Sequence, residues 1–353
     1  MKKGYDSAAT TKYRYLIRLM TVITGASLLF SSCRQTTGDK EYPAARKIAG
    51  ISFVAADEKV AEKDMLPIQA IGATWVSLMP YGFVREKEHV VHYNTQWQWW
   101  GETDEGLLAT TKLAKDNGLK VMIKPQVWFR HGKYTGHYIP PDSGKMAFNE
   151  SFAGFVLHFA EVAQKAKADM YCLGTEWHKY IDSDPEFWQQ LIIKVKNIYT
   201  GKLTYAANWD EYKTVPFWQE LDYIGINAYF PLSDKDHPSL ADLQKSWQPW
   251  LNEMRSVAES VGKPVLFTEY GYRSTVKNAS KPWESSTKPD VSLENQTVAY
   301  RALYNEFWPQ PWFAGGFAWK WFHNYNEREG DGHLGYTPQN KPVEAVIKEY
   351  YAK

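Results

Sequence analysis

Gly262-Lys263-Pro264-Val265-Leu266-Phe267-Thr268-Glu269 is the stretch on which the fold is read. Gly262 suits the left-handed position that ends a helix and Pro264 blocks its resumption, so the amphipathic pattern from Leu240 to Val261 stops here. The apolar run from Val265 then has the length of a buried strand and finishes on a carboxylate. An earlier junction has the same grammar: Asn117-Gly118 closes the helical stretch Asp104 to Asn117, and Leu119-Lys120-Val121 opens a strand. Outward from these junctions, short apolar runs alternate with stretches of helical period from Lys47 onward, the pattern of repeated βα units. The eight predicted strands are Ile48 to Val54, Thr74 to Pro80, Lys120 to Val127, Met170 to Glu176, Leu203 to Asn208, Tyr223 to Ala228, Val265 to Glu269 and Ala314 to Trp319. Between and after them lie predicted helices at Ala61 to Ile71, Asp104 to Asn117, Phe148 to Ala168, Glu186 to Ile198, Leu240 to Val261, Glu294 to Phe307 and Val343 to Tyr350. Eight units in roughly 300 residues satisfy an α/β fold of the (β/α)8 TIM-barrel type, which takes about 250 residues plus insertions. A doubly wound open sheet is disfavoured, because no glycine-rich phosphate loop follows a strand and polar and acidic residues gather at the strand ends instead. No linker rich in Pro, Gly or Ser divides residues 46–353, which read as one domain. The longest insertions, Tyr81 to Thr103, Trp128 to Phe148 and Arg273 to Leu293, all follow strands and so stand over the carboxyl-terminal mouth, where this fold builds its active sites.

The chain has 353 residues, with 41 Lys plus Arg against 40 Asp plus Glu and a formal net charge of +1. Neutralising phosphates needs a basic surplus or stripe, so a nucleic-acid partner is excluded. A hydrophobic fraction of 44% and a charged fraction of 23% belong to a well-packed globular protein. Aromatics reach 16%, with 16 Trp and 23 Tyr, and flat faces in that number suit a carbohydrate ligand. Ahead of the domain, Lys2, Lys3, Lys12, Arg14 and Arg18 precede an apolar run from Leu19 to Phe30, the make-up of an export signal and too short to span a bilayer stably. Phe30-Ser31-Ser32-Cys33 resembles the lipobox of bacterial lipoproteins. Residues 1–32 are therefore expected to be a lipoprotein signal peptide, Cys33 the acylated residue, and 33–45 a tether. The alternative is an ordinary signal peptide with an incidental cysteine. The expected location is the bacterial cell envelope, lipid-anchored at the outer membrane or its periplasmic face, as a monomer. Only Cys172 remains in the mature domain, so neither an intrachain disulfide nor a cysteine-built metal site is available. His131 and His137 have no carboxylate at helical spacing beside them and read as solvated or sugar-contacting loop residues. No metal is expected.

Two glutamates ending apolar strands carry the strongest chemical signal: Tyr171-Cys172-Leu173-Gly174-Thr175-Glu176-Trp177 and Val265-Leu266-Phe267-Thr268-Glu269-Tyr270-Gly271-Tyr272. A carboxylate at the end of a buried strand is costly unless it is paired or used. Their separation of 93 residues corresponds to three βα units, which puts them on the fourth and seventh strands and at one mouth. Two carboxylates across a sugar-sized gap are what glycoside hydrolysis uses, one giving a proton to the leaving oxygen while the other attacks the anomeric carbon. The plainer reading, a helix cap or a partner for a barrel arginine, is weakened by the compatible strands and the flanking aromatics. Lys124, Gln126 and Trp128 alternate on the third strand and share a face, either the mouth or the barrel filling. Asn208 ends the fifth strand and Asn227 lies near the end of the sixth, where amides read hydroxyls. Trp319 and Trp321 end the eighth strand, and Trp97, Trp99 and Trp100 follow the second; indoles placed there stack on pyranose C–H faces, though each is also an ordinary core residue.

Gly174-Thr175-Glu176-Trp177, Asn227-Ala228-Tyr229-Phe230-Pro231, Phe267-Thr268-Glu269-Tyr270-Gly271 and Trp319-Lys320-Trp321 resemble the clan of retaining (β/α)8 glycosidases. Within that clan the chain is most similar to glycoside hydrolase family 113, the β-1,4-mannanase family, over nearly all of residues 47–350. The resemblance implies a β-mannanase-like endo-hydrolase without a cofactor, with Glu176 as general acid/base and Glu269 as nucleophile. Tyr229 resembles the clan tyrosine that hydrogen-bonds the nucleophile. Many clan members carry Asn before the acid/base; here it is Thr175, which leaves open the group that contacts the sugar 2-hydroxyl. The expected partner is an oligo- or polysaccharide, β-1,4-mannan first. Two alternatives stand beside this: a clan relative acting on β-glucan or galactan, and a non-catalytic surface lipoprotein that captures glycans on aromatic platforms.

Overall fold

In the computed structural model, which describes residues 46–353 apart from positions 86, 329 and 331, ten strands form. They are β1 (Ile48–Phe53), β2 (Trp75–Leu78), β3 (Tyr81–Val84), β4 (Lys120–Ile123), β5 (Gln126–Phe129), β6 (Met170–Thr175), β7 (Lys202–Asn208), β8 (Ile224–Asn227), β9 (Val265–Tyr270) and β10 (Phe313–Trp321). Eight of them close a parallel barrel in the order β1-β2-β4-β6-β7-β8-β9-β10, with β10 returning to pair with β1. The helices are α1 (Glu62–Ala70), α2 (Asp104–Asp116), α3 (Lys145–Ala166), α4 (His178–Ser183), α5 (Pro185–Ile198), α6 (Leu240–Val261), α7 (Leu293–Phe307) and α8 (Val343–Tyr351). The fold is a (β/α)8 TIM barrel. The export segment, Cys33 and the tether lie outside the described residues.

Alternation along the strands divides the core in two, as a closed barrel requires. Met122, Met170 and Cys172 point inward and join Ile48, Trp75, Ala206, Leu266 and Phe317 in a cluster that fills the barrel. Their neighbours Val121, Ile123, Tyr171 and Leu173 point outward into the larger core beneath the helices. The helix boundaries follow local chemistry. Ser239 and Asp242 form a capping box at the start of α6, and Gly262, at φ +73°, takes the left-handed position after its end. Gly118 adopts φ +71° after α2 in the same way.

The third predicted strand is corrected by the structure. It is not continuous from Lys120 to Val127 but divides into β4 and β5, and β5 leaves the barrel to pair with β3 in a separate two-stranded parallel sheet. The offset of 45 positions that sets Trp75 opposite Lys120 also sets Tyr81 opposite Gln126. Pro80 and Pro125 therefore stand at the same level, and neither can donate to a ladder. The ladder is interrupted there and resumes above the mouth without a change of register. Lys124 N–H still donates to Leu78 O at 2.8 Å and Gln126 N–H to Pro80 O at 3.0 Å, so the two strands stay together across the break. Two smaller differences concern helices. α3 begins at Lys145 instead of Phe148, because Gly144 caps it and its carbonyl accepts the Phe148 N–H at 2.9 Å. The six residues of α4 are too few to show a helical period in sequence.

Candidate active site

Glu176 and Glu269 meet at the carboxyl-terminal mouth, in a cleft of about 740 Å³ that both line. That volume lies within the usual range of ligand pockets. Glu269 sits within β9 and is almost entirely buried. Its Oε1 takes the Lys124 ammonium, which is fully buried, and the Gln126 amide at 2.9 Å. Its Oε2 accepts the Tyr229 hydroxyl at 2.9 Å. Three donors on one carboxylate, one of them a cation, make the setting of an anion.

Glu176 is placed differently. It is the first residue after β6 and has φ +56°, a left-handed conformation that a side chain beyond glycine adopts at a cost. The neighbouring strand holds it there. Glu176 N–H donates to Ala206 O at 2.8 Å, and the next amide, Trp177 N–H, donates to the Tyr205 hydroxyl at 2.6 Å. One side-chain donor reaches its carboxyl: Asn227 Nδ2, 2.8 Å from Oε1. Asn227 is itself oriented by Thr268, whose hydroxyl donates to Asn227 Oδ1 at 2.9 Å. Burial pushes the Glu176 carboxyl up to about 7, and the negative charge of Glu269 adds to the rise against the Asn227 bond and the Lys124 charge. Burial, with the Glu269 charge, also lifts the Tyr229 phenol well above its ordinary range, so it remains a donor.

The cleft brings together most of the residues picked out from sequence, and sorts them. Gln126, Trp128, Asn208, Tyr229 and Trp319 line it beside the two glutamates. Three others are corrected from sugar contacts to supports. Lys124 is 0% exposed and stands behind Glu269 as its counter-ion. Asn227 is buried with both ends of its amide engaged by Glu176 and Thr268. Trp321 is fully buried and stacks on Tyr325 at 5.6 Å, because β10 gains a residue against β1 between Ala318 and Trp321, and that break in alternation turns Trp321 into the outer core while Trp319 takes the mouth. Trp99 is exposed but does not line the cleft, and neither do Trp97 and Trp100. His137 does line it, with its ring 5.1 Å from that of Tyr134.

Several lining residues carried no readable signal. Trp209, directly after β7, stacks on Trp283 with ring centres 5.5 Å apart and planes within 16°. Trp283, 45% exposed, comes from the insertion after β9. Tyr336 lines the same side and donates to Pro282 O at 2.5 Å, and Asp210 lines the side of Glu176. The two loop tryptophans could have been found only by knowing which insertions fold inward. Gly271, just past β9, lets the last barrel strand come close: a Cβ there would lie 2.5 Å from Trp319 O. Among the described residues, no three His, Cys, Asp or Glu side chains converge as a metal site would need.

A barrel whose mouth opposes a buried and a half-buried carboxyl beneath indole walls has the construction of a glycosidase. The chain matches the model of Glycoside Hydrolase Family 113 over residues 55–341 and belongs to that family. Among solved structures it is similar to the GH113 β-mannanase of Alicyclobacillus acidocaldarius in complex with ManMIm, at 24% identity and a TM-score of 0.74, covering 88% of this chain and 98% of that one. A GH113 β-1,4-mannanase complex matches at 22% identity and a TM-score of 0.73, over 88% of this chain and 100% of that one. The β-glucuronidase of Faecalibacterium prausnitzii matches at 16% identity and a TM-score of 0.56, over 87% of this chain but 49% of its own length. No curated protein matches by sequence.

Proposed function

We propose that this glycosidase hydrolyses β-1,4-linked mannan with retention of configuration, Glu269 acting as nucleophile and Glu176 as general acid/base. The observation that carries the reading is the unequal environment of the two carboxyls. Glu269 is surrounded by donors and a cation, as a nucleophilic carboxylate requires, whereas Glu176 has one amide donor and is pushed up to about 7, as a proton donor requires. Solved relatives in the same family are β-mannanases, which supports mannan as the polymer.

In the proposed reaction a carboxylate oxygen of Glu269 forms a bond to the anomeric carbon as the glycosidic C–O bond breaks, and Glu176 delivers its proton to the departing oxygen. Oε2 is the freer oxygen for the attack, with one donor against two on Oε1. Glu176, now a carboxylate, takes a proton from water as that water displaces Glu269 and restores the β-anomer. Trp128, Trp319 and the Trp209–Trp283 pair offer apolar faces along the cleft to successive sugar rings.

The test is release of reducing sugar from β-1,4-mannan, β-glucan and β-galactan by the enzyme and by Glu269→Ala and Glu176→Ala, each with and without azide. Cleavage of mannan, loss of reducing-sugar release in both variants, and formation of a β-glycosyl azide by Glu176→Ala, read by mass spectrometry, are the expected results. Binding of a polymer with no cleavage by the parent enzyme would favour glycan capture instead. Export and acylation at Cys33 belong to the same proposal and rest on the sequence. Incorporation of labelled fatty acid into the chain, lost in Cys33→Ser, tests them.

A further inference from the structure

A third carboxylic acid lies behind the pair. Glu211, in the turn after β7, is 1% exposed. Its Oε1 accepts the Asn208 N–H at 2.8 Å and the Tyr205 hydroxyl at 3.4 Å. Its Oε2 is buried and has no hydrogen-bond partner among the described residues; His178 Nδ1 is 3.9 Å away, beyond hydrogen-bond reach. An ionised oxygen so placed would be an uncompensated buried charge, whereas a protonated one carries no charge to compensate. Tyr205, also fully buried, links Glu211 to the acid/base segment, since the same hydroxyl that donates to Glu211 accepts the Trp177 N–H at 2.6 Å. Trp177 directly follows Glu176, whose left-handed backbone depends on such anchors.

We propose that Glu211 is a positioning residue for Glu176: as a neutral acid it anchors the Glu176-Trp177 backbone through Tyr205, and its ionisation state sets the charge that Glu176 faces. The proposal rests on the assignment of Glu176 as the general acid. Several groups face Glu211 from the elements packed around it: Tyr205 from β7, His178 from α4, Glu176 after β6, Asp210 beside it, and Tyr134 from the loop after β5. Burial raises the Glu211 carboxyl to about 8, with the Glu176 and Asp210 charges adding to the rise. The influence runs from Glu176 to Glu211: once Glu176 is charged, Glu211 is held in its neutral form to higher pH. Glu211 does not line the cleft, so it acts through Glu176 and not on the sugar.

The experiment is the pH profile of kcat/KM for Glu211→Gln and Tyr205→Phe against the parent enzyme. Gln keeps an acceptor for Asn208 and Tyr205 but cannot ionise. The alkaline limb is expected to lose its shallow tail above about pH 8 and fall there as a single-proton step, because no charge then develops at position 211 beside Glu176. A profile that superposes on the parent overturns the proposal. Tyr205→Phe removes the anchor while keeping the ring, and is expected to lower kcat about tenfold with KM unchanged; an unchanged kcat overturns the anchoring arm even if Glu211→Gln fails to fold. Glu176→Ala with azide separates the two readings. If that variant keeps the parent's alkaline limb, Glu176 is not the acid, and the failure belongs to the functional assignment and not to Glu211.

Discussion

Replacing Glu176 by its neutral isostere is expected to make the protein more stable, and only at high pH. Glu176→Gln keeps an Oε1 for the Asn227 amide, so the local hydrogen bond survives while the ionisable group is lost. In the folded enzyme the Glu176 carboxyl rises from 4.5 to about 7. A raised carboxyl means that the native state binds the proton more tightly than the unfolded chain. The parent therefore loses stability as pH climbs from the unfolded value to the folded one, and the full loss is reached above about 7. At about 1.4 kcal/mol per unit the shift corresponds to roughly 3 kcal/mol, and partial solvent access to the cleft brings the expectation nearer 2 kcal/mol. Gln carries no such loss. Chemical denaturation at pH 4.5 should find the two proteins equal, apart from a constant offset, and at pH 8.5 should find the variant ahead by about 2 kcal/mol, or several degrees in midpoint temperature. A difference that does not change between the two pH values would refute the reasoning, because it would mean that the Glu176 carboxyl is not raised on folding.

The same rise predicts the rate profile: kcat/KM falls as pH increases through about 7, where Glu176 loses the proton it must donate, and Glu176→Gln shows no such limb in whatever activity remains. Lys124→Met strands the buried Glu269 charge and should lower stability by about 3–5 kcal/mol, with activity down by at least about a hundredfold, read from denaturation and reducing-sugar release; a stable, active variant would show that Glu269 needs no counter-ion. Trp283→Ala removes the outer indole of the stacked pair, worth about 1 kcal/mol of sugar stacking, and should raise KM several-fold for long oligosaccharides and not for the shortest cleaved substrate. Gly271→Ala pushes a methyl against the Trp319 carbonyl and should cost about 1–3 kcal/mol in stability together with a higher KM, since Trp319 must shift.

The barrel was legible because each unit carries its own punctuation. The Gly118 and Gly262 positions mark real left-handed residues, and the apolar runs after them are real strands. Glu176 and Glu269 were legible as a pair because strand ends project to one mouth whatever the loops do. Less could be read where the outcome depends on contacts between distant segments. Alternation on the third strand put Lys124, Gln126 and Trp128 on one face, but could not show that Lys124 stays in the barrel while Trp128 stands above it, a difference made by the level of Pro125 against Pro80. Trp319 and Trp321 were equivalent in sequence, and only the register shift of β10 against β1 between Ala318 and Trp321 separates the cleft residue from the core one. Glu211 gave no sequence signal, because a carboxyl in a turn after a strand is ordinarily solvated, and its burial comes from the packing of Tyr205, Trp177 and α4 around it.

The charges at the mouth explain why two carboxyls of the same kind sit in such different environments. Glu176, Glu269, Asp210 and Glu211 lie close enough to influence one another, and the one fully buried cation among their named partners, Lys124, is bonded to Glu269. It comes from the last residue before the proline break, and Gln126, the next donor to Glu269, is the first residue after it. The division of the third strand thus delivers two of the three Glu269 donors from one backbone, held across the break by the amides of both residues. With the cation committed to Glu269, a second and third anion would face one another in a weakly solvated region without compensation. Glu176 and Glu211 avoid that by holding protons, to about 7 and about 8. A change that moves Lys124 therefore acts directly on both Glu269 and Glu176, whereas a change at Asn227, which bonds Glu176 and neither of the other two acids, reaches those only through the charge of Glu176.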